Sequence, residues 1–477
     1  MYTTIRAAGF TRHEIDQELF QNRFVLAPAL QKFQQLKPES SYIDTVHSLT
    51  TEDPQHPPLY FLLARFWMQQ FGSSIVASRL LPALLSLLSL PLIYQLAIAL
   101  FASHRVALLA TALLALSPLD IVFAQIARQY SLSTAVVIGT SWLLLRALRH
   151  PTRQNWGGYI LGITIGLYTH TLFSLTLIAQ GVYVLLMQRM FARFAIAVII
   201  ACGLYAPWLA MLLREPQRIL SAAGWTSVEM PLQELAKQWM LNFTALFVNF
   251  NASLDNLWNI LIRSLFACLI LAALYAVYRG TARSTWLFLF SSLGIPFLVF
   301  LLPDLLLGGK RSAVSRYLVA CYPSIQLSVA YLLAVTLTRR QLIGQGLFAL
   351  ILTGSLVSCS LNALADTSQY QETSYTNPEI LYLLSTQTAI PSPVLVSDTG
   401  DGDTNVGDLI ALSYALQDNV QLFMASRPPN LDAVQDKSTV FVFRPSEQMW
   451  EVMTQQGWHL EEVIRFGTVW QAENQAT

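Results

Sequence analysis

The chain has 477 residues, of which 54% are hydrophobic and only 12% are charged. Soluble domains have about a quarter of their residues charged, so this composition excludes an ordinary soluble protein. The formal net charge of +1 provides no basic surface, and we expect no nucleic-acid partner.

Residues 1–74 are mixed and polar, and no apolar segment long enough to cross a membrane lies among them. A helix is predicted from Arg12 to Phe20. A second helix is predicted to begin at Pro57 and Pro58, since proline is tolerated in the first turn, and to end near Gly72. Its apolar residues recur at helical spacing but polar ones interrupt them. We therefore expect residues 1–74 to form an outer loop with interfacial helices.

About ten apolar stretches follow, and they predict an all-α polytopic membrane protein over residues 75–361. One neighbouring pair is short for a bilayer core of about 30 Å, so it forms either two thin spans or one re-entrant hairpin. That pair is 156–169 and 172–188. The other expected spans are 75–100, 106–124, 131–149, 194–213, 258–278, 284–302, 317–337 and 341–361.

Alternate loops between these stretches contain basic residues and no acids. Short loops of this kind stay in the cytoplasm, so the sequence predicts the orientation of a multi-pass protein in the plasma (inner) membrane. The remaining loops, and the residues after the last span, are then expected on the non-cytoplasmic side. The basic loops carry His104 and Arg105; Arg146, Arg149 and Arg153; Arg189 and Arg193; Arg279 and Arg283; Arg339 and Arg340.

Residues 362–477 change in composition and contain no predicted span. Short apolar runs at 393–397, 420–424 and 439–443 alternate with helical patterns at 406–416 and 447–456, which is typical of a small α/β soluble domain. The segment Asp398–Asp403 resembles a calcium loop but lacks the closing glutamate at its required offset, so we favour a solvated turn over a metal site.

Four clusters of polar residues fall in the loops expected on the outer side. Taken singly, their arginines could be snorkelling residues, their tyrosines an aromatic belt and their histidines ordinary interfacial residues. Taken together, the clusters contain four cations, although arginine and lysine are usually scarce in loops on the outer side. Cations kept there suit a phosphate or pyrophosphate headgroup. The clusters are Glu52–Tyr60 with His56, Gln125–Leu132 with Arg128 and Tyr130, Tyr168–His170, and Lys310–Tyr317 with Arg311 and Arg316.

Five stretches of sequence resemble the loops of bacterial polytopic glycosyltransferases of family 39, which have the GT-C fold. They are HPPLYFLLARFW, SPLDIVFAQIARQYSL, GLYTH, LYAPWLAMLL and SRYLVACYPS. These enzymes are similar to protein O-mannosyltransferases and to the aminoarabinose transferase that acts on lipid A. The resemblance covers about residues 1–361 and says nothing of residues 362–477.

The resemblance implies an inverting hexosyl or pentosyl transferase that works on membrane lipids without a cofactor. The donor would be a polyprenyl-phosphate-linked sugar, and the acceptor a glycan, lipid or protein. Cations would hold the donor phosphate, here Arg128 and Arg316 with Lys310 and Arg311 nearby. The substrate-site candidates are His56, Tyr130, His170 and Tyr317.

The sequence departs from the family pattern in its acids. In similar proteins the acid that acts as base follows the first transmembrane helix and precedes a stretch like Tyr2–Thr11, so we expect that acid to lie before Met1. Glu52 and Asp53 are weak substitutes within the chain, and Ile126 stands where relatives often have an acid.

Two other functions fit the same pattern. A relative that has lost its base would be a catalytically degenerate lipid-phosphate or glycan-binding membrane protein. A secondary transporter fits the number of spans, but transport pathways commonly need a charged residue deep inside a span, and the sequence suggests none there.

Overall fold

The computed structural model describes residues 1–214, 216–217, 224–250, 256–365, 376–386, 393–402, 404–417, 420–464 and 467–474. The chain forms two compact units. One contains residues 1–48, 64–74 and 365–477, and the other contains residues 49–63 and 75–364. The domain boundaries expected after residues 74 and 361 came from composition alone and stay predictions.

The second unit is helical, and each apolar stretch of the sequence forms helix. The helices of this unit are Ile75–Leu87, Ser89–Phe101, His104–Ala115, Pro118–Gln125, Tyr130–Arg149, Arg153–Thr169, Phe173–Leu186, Phe191–Arg214, Leu232–Thr244, Leu257–Gly280, Arg283–Leu307, Tyr322–Arg339 and Gln341–Leu364. Short 3₁₀ turns occur at Gly224–Ser227, Arg311–Ala313 and Ser315–Leu318. The helices Tyr42–Glu52 and Leu59–Phe71 begin in one unit and end in the other.

Among the described residues, six helical segments are long and apolar enough to cross a membrane. A seventh is added if the bent pair His104–Ala115 and Pro118–Gln125 counts as a single span. The multi-pass architecture expected from the sequence is therefore confirmed, whereas the number of ten spans stays a prediction. The six are Ile75–Phe101, Tyr130–Arg149, Phe191–Arg214, Leu257–Gly280, Arg283–Leu307 and Gln341–Leu364.

The bent pair has a local cause at Ser117 and Pro118. The Ser117 hydroxyl accepts a hydrogen bond from the Asp120 N–H at 3.4 Å and so caps a new helix. Pro118 occupies the first turn of that helix, where its missing N–H costs nothing. The axis turns by 51° at this break. The break therefore ends the helix His104–Ala115 and starts the helix Pro118–Gln125 in a new direction.

One close contact joins the two short helices Arg153–Thr169 and Phe173–Leu186. A methyl group on Gly166 would lie 2.4 Å from Cε1 of Phe173, far inside van der Waals contact. The absence of a side chain at Gly166 therefore allows the second helix to pack closely against the first.

Substituting Gly166→Ala should destabilise this helix pair by about 1–3 kcal/mol, because the aromatic ring must move out of a packed position. The control is Gly157→Ala in the same helix, where an added methyl would meet nothing within 4 Å. Thermal unfolding in detergent should show a lower midpoint for the first variant and an unchanged or slightly higher one for the control. Equal midpoints would contradict this account.

The expectation that no charged residue lies deep in a span is wrong. Arg263 lies in the helix Leu257–Gly280 and is fully buried. Its guanidinium donates to Asn259 Oδ1 at 3.0 Å and to Thr244 Oγ1 at 3.0 Å. It also donates to a backbone carbonyl of the segment after Thr244, at Val248. These contacts link the neighbouring helices, so we assign Arg263 a structural role.

The first unit contains one six-stranded sheet. The strands are β1 (Arg23–Val25), β2 (Val394–Ser397), β3 (Gln421–Met424), β4 (Thr439–Phe443), β5 (Trp458–Ile464) and β6 (Val469–Asn474). Their order is β1-β3-β2-β4-β6-β5, with β3, β2 and β4 parallel and the outer strands antiparallel. The α/β class expected for the C-terminal region is therefore confirmed. The helices of this unit are Tyr2–Ala8, Arg12–Leu19, Ala27–Gln31, Asn377–Thr386, Asn405–Ser413 and Glu447–Gln455, with 3₁₀ turns at Lys32–Gln34 and Asp432–Val434.

The three central strands are apolar because both of their faces are covered. Leu395, Leu422 and Phe441 pack into one core, whereas Val396, Phe423 and Val440 pack into the other. This burial on both sides explains why the strands appear in the sequence as continuous apolar runs.

The N-terminal residues complete this sheet and share its core. Strand β1 pairs with β3 in antiparallel register, with Phe24 opposite Phe423. Ile5, Ile15 and Phe33 belong to the same buried cluster as Leu422. Residues from the two ends of the sequence therefore form a single folded unit.

Asp398 at the end of β2 is buried and not part of a solvated turn. Its carboxylate accepts hydrogen bonds from the backbone N–H groups of Gly400 at 3.1 Å and Ser446 at 3.2 Å. The carboxylate therefore ties the loop after β2 to the loop after β4. Asp403 of the calcium-like segment lies outside the described residues.

Candidate functional site

A small cavity lies among the ends of several helices in the helical unit. Tyr130, His170, Arg316 and Tyr317 all line it. These residues come from three of the four polar clusters that the sequence places in different loops. The structure thus brings together residues that are far apart in the chain, since 187 positions separate Tyr130 from Tyr317.

The remaining polar cluster, Glu52–Tyr60, is held beside the same loops by hydrogen bonds to its backbone. The indole N–H of Trp208 donates to the carbonyl of Pro54 at 3.1 Å, and the hydroxyl of Thr171 donates to the carbonyl of Gln55. Asp53 follows the end of the helix Tyr42–Glu52, and its carboxylate accepts from the Gln55 side chain at 3.2 Å. Both candidate acids, Glu52 and Asp53, therefore lie at one end of a turn that is attached to the loop after His170.

His56 and Arg128 connect this turn to the cavity. A ring nitrogen of His56 lies 3.4 Å from the side-chain nitrogen of Gln129. The Arg128 guanidinium donates to the Tyr130 hydroxyl at 3.4 Å, and Tyr130 lines the cavity. Arg128 thus reaches the cavity by way of Tyr130.

Lys310 and Arg316 approach the same indole ring. The Lys310 ammonium lies 5.2 Å from the ring centre of Trp225, and the Arg316 guanidinium carbon lies 5.0 Å from it. The backbone of the Gly224–Ser227 turn is attached to the same loop, since the Lys310 N–H donates to the carbonyl of Thr226 at 2.8 Å. Cation–π contacts of this kind hold both cations on the same aromatic ring. A pair of positive charges held on one ring favours an anionic ligand.

Arg311 has a different environment from its neighbours. Its guanidinium pairs with the Asp304 carboxylate at 3.1 Å and donates to the Ser227 hydroxyl at 2.8 Å. Asp304 is buried and also accepts from the N–H and the hydroxyl of Ser312, at 2.6 and 2.7 Å. Because a carboxylate already compensates its charge, we propose that Arg311 supports the loop and does not bind the donor phosphate.

His170 follows the last residue of the helix Arg153–Thr169 and is held as a neutral ring. Its Nδ1 accepts a hydrogen bond from the N–H of Leu172 at 3.0 Å, so the neutral ring carries its proton on Nε2. Burial is the main reason that the pKa of His170 is lowered to about 3, and His56, Arg316 and Arg128 act in the same direction. Burial and nearby positive charge both disfavour a second proton, so the ring stays neutral between pH 5 and 8.

Sequence analysis did not identify Trp225 or Asp304 as part of the candidate site. Trp225 lies between the expected spans 194–213 and 258–278, and Asp304 lies just beyond the expected span 284–302. No local pattern relates Trp225 to the Lys310–Tyr317 cluster, since 85 residues separate it from Lys310. A basic cluster next to an isolated acid is the only signal that could have suggested the Asp304–Arg311 pair.

Comparison with known families finds a similarity over part of the chain. Residues 55–210 match the family of dolichyl-phosphate-mannose-protein mannosyltransferases. No curated protein matches the sequence significantly.

Two of the solved structures that the chain matches have low sequence identity to it. ArnT from Cupriavidus metallidurans, bound to undecaprenyl phosphate, is 14% identical over 89% of this chain and 88% of its own, with a TM-score of 0.49. The oligosaccharyltransferase AglB from Archaeoglobus fulgidus, in complex with an inhibitory peptide and a dolichol-phosphate, is 10% identical over 88% of this chain and 66% of its own, with a TM-score of 0.48.

The matched segment contains Arg128, Tyr130 and His170, whereas Arg316 and Tyr317 lie beyond it. The family match agrees with the resemblance that the sequence motifs showed. This chain is therefore similar, over residues 55–210, to the dolichyl-phosphate-mannose-protein mannosyltransferases, which confirms its resemblance to polytopic membrane glycosyltransferases of the family 39 type.

Proposed function

We propose that the chain transfers a sugar from a polyprenyl-phosphate donor to a glycan, lipid or protein acceptor on the non-cytoplasmic face of the plasma membrane. The observation that carries the proposal is the cavity lined by Tyr130, His170, Arg316 and Tyr317, together with the two cations held on Trp225 beside it. A phosphate bound there would be attracted by those cations, and its lipid chain would continue among the helices.

The donor phosphate is assigned to Arg316 and Lys310, with Arg128 next to Tyr130 as a third cation. Arginine suits this role because its planar fork can bind two phosphate oxygens while the same plane lies on an aromatic ring. As the bond from the anomeric carbon to the phosphate oxygen breaks, negative charge builds on the leaving polyprenyl phosphate. Fixed cations at that position stabilise the transition state more than the ground state.

The acceptor oxygen would attack the anomeric carbon from the opposite face and invert it. A carboxylate must take or orient the acceptor proton in this step. Among the described residues, Asp53 and Glu52 are the acids of the turn attached beside His170, and we keep both as candidates for this role. The orientation of the site towards the non-cytoplasmic side is supported by the basic loops at the opposite helix ends.

The direct test is to incubate purified protein with undecaprenyl phosphate linked to different hexoses and pentoses, together with a panel of glycan, lipid and protein acceptors, and to measure release of undecaprenyl phosphate. The proposal expects release with at least one donor, with inversion at the anomeric carbon of the product. Tight binding of undecaprenyl phosphate without any release would instead indicate a lipid-phosphate-binding protein that lacks its base. A protein that neither binds nor releases the lipid would overturn the proposal.

A further inference from the structure

The loop after the helix Arg153–Thr169 presents a side chain whose chemistry the phosphate site does not require. His170 lines the cavity together with Arg316, but it contributes no positive charge there. Its Nδ1 is used by the N–H of Leu172 at 3.0 Å, and this leaves Nε2–H as the donor of the ring.

The surroundings keep the ring in this form. Arg316 and Tyr317 line the cavity from the segment 315–318, and Tyr130 from the start of the helix Tyr130–Arg149. His56 and Arg128 also act on His170 electrostatically from neighbouring loops. A protonated imidazole would be repelled by both guanidinium groups.

A neutral N–H is better suited to a neutral oxygen than to a phosphate. The anionic part of a lipid-linked sugar is matched by guanidinium and ammonium groups, which form charge-assisted hydrogen bonds roughly twice as strong as neutral ones. The hydroxyl and ring oxygens of the sugar carry no charge, and a neutral donor pairs with them without attracting the phosphate into the wrong position.

We infer that His170 binds the sugar of the lipid-linked donor through its Nε2–H, as a neutral hydrogen-bond donor whose orientation is fixed by the N–H of Leu172. This assignment rests on the proposed function, and it divides the cavity into a cationic part for the phosphate and a neutral part for the sugar. His170 is thereby a specificity-determining residue, since it senses whether the lipid phosphate carries a sugar.

Two substitutions separate this role from a structural one. In His170→Asn, the amide oxygen can take the position of Nδ1 and accept from Leu172, but the donor at the Nε2 position is lost. In His170→Gln, the side-chain nitrogen can take the position of Nε2 and keep the donor, while the contact with Leu172 is lost. A residue that serves only to cap the loop would tolerate asparagine better, and a sugar-binding donor would tolerate glutamine better.

The experiment measures the dissociation constants of undecaprenyl phosphate and of its hexose- and pentose-linked forms for the wild type and both variants. We expect all three proteins to bind undecaprenyl phosphate equally. For the linked form that the wild type prefers, His170→Asn should bind about five- to tenfold more weakly, as expected for one neutral hydrogen bond, and His170→Gln should stay close to the wild type. The affinity of the wild type and of His170→Gln for that linked form should not change between pH 5 and 8.

Failure of this inference and failure of the proposed function give different results. If the wild type does not bind undecaprenyl phosphate, the phosphate site itself is wrong. If it binds the lipid but His170→Asn keeps the full preference for the sugar-linked form, the role of His170 is overturned. Equal losses in both variants, or a larger loss in His170→Gln, would also overturn it, because they indicate a structural role for the ring.

Discussion

Replacing Arg316 by alanine should lower kcat/KM for the lipid-linked donor about 100- to 1000-fold, the loss typical of removing one fixed group that stabilises transition-state charge. Arg316 lines the cavity and lies on the Trp225 ring, so the substitution removes both a proposed phosphate ligand and one of the two charges held there. Steady-state release of undecaprenyl phosphate measures the effect.

Two further variants make this result specific. Arg316→Lys should remain at least tenfold below the wild type, because an ammonium group cannot bind two phosphate oxygens in one plane while stacking on an indole. Lys237→Ala is the control, since Lys237 is a cation of the same unit that pairs with Glu234 at 2.7 Å outside the cavity lining. Normal turnover by Arg316→Ala would remove the basis for the phosphate site.

Replacing Asp304 by alanine should destabilise the protein by about 3 kcal/mol, which is typical of breaking a buried ion pair by removing one partner. The side chain of Asp304 is fully buried from solvent, whereas that of Arg311 is 25% exposed. The variant leaves Arg311 without its counter-charge and the N–H of Ser312 without its acceptor. Thermal unfolding in detergent should show a midpoint several degrees lower.

The control for this loss is Glu234→Ala. Glu234 also pairs with a cation in the helical unit, but its side chain is 46% exposed and the pair should contribute no more than about 1 kcal/mol. Arg311→Ala should also unfold at a lower temperature while its affinity for undecaprenyl phosphate stays unchanged. Weaker lipid binding by Arg311→Ala with unchanged stability would return Arg311 to the phosphate site.

The sequence predicted the elements whose pattern is local. Apolar runs of sufficient length formed helices, and Leu116-Ser117-Pro118 marked a helix break, because capping and proline effects act within one turn. The strands Val394–Ser397, Gln421–Met424 and Thr439–Phe443 were predicted within a residue, since burial on both faces leaves a continuous apolar run.

Other elements have no comparable signal. Strand β1 has only three residues, two of them exposed, and is defined by its partner almost 400 positions away. The hairpin of β5 and β6 mixes charged and apolar residues, because β5 is an edge strand and several side chains of both strands face solvent. Pairing of this kind depends on contacts that a sequence pattern does not contain.

The candidate site also has some features that the sequence predicts and others that it does not. The residue types and the loops were predictable, because a cation, a tyrosine or a histidine at a helix end is visible in the sequence. The environment of each of these residues was not predictable from the sequence. Arg311 and Arg316 are five positions apart, yet one is compensated by a buried carboxylate and the other lies on an indole beside the cavity.

Strand β1 also constrains how many times the chain crosses the membrane. Arg23 and Met424 are partners in one sheet, so the segments that contain them must share a compartment. The chain between them must then traverse the bilayer an even number of times. Six described segments qualify on length and apolarity, and counting the bent pair would give seven, an odd total. If the bent pair crosses, an odd number of further helices must cross as well, and fluorescent tags at the two termini should report the same compartment.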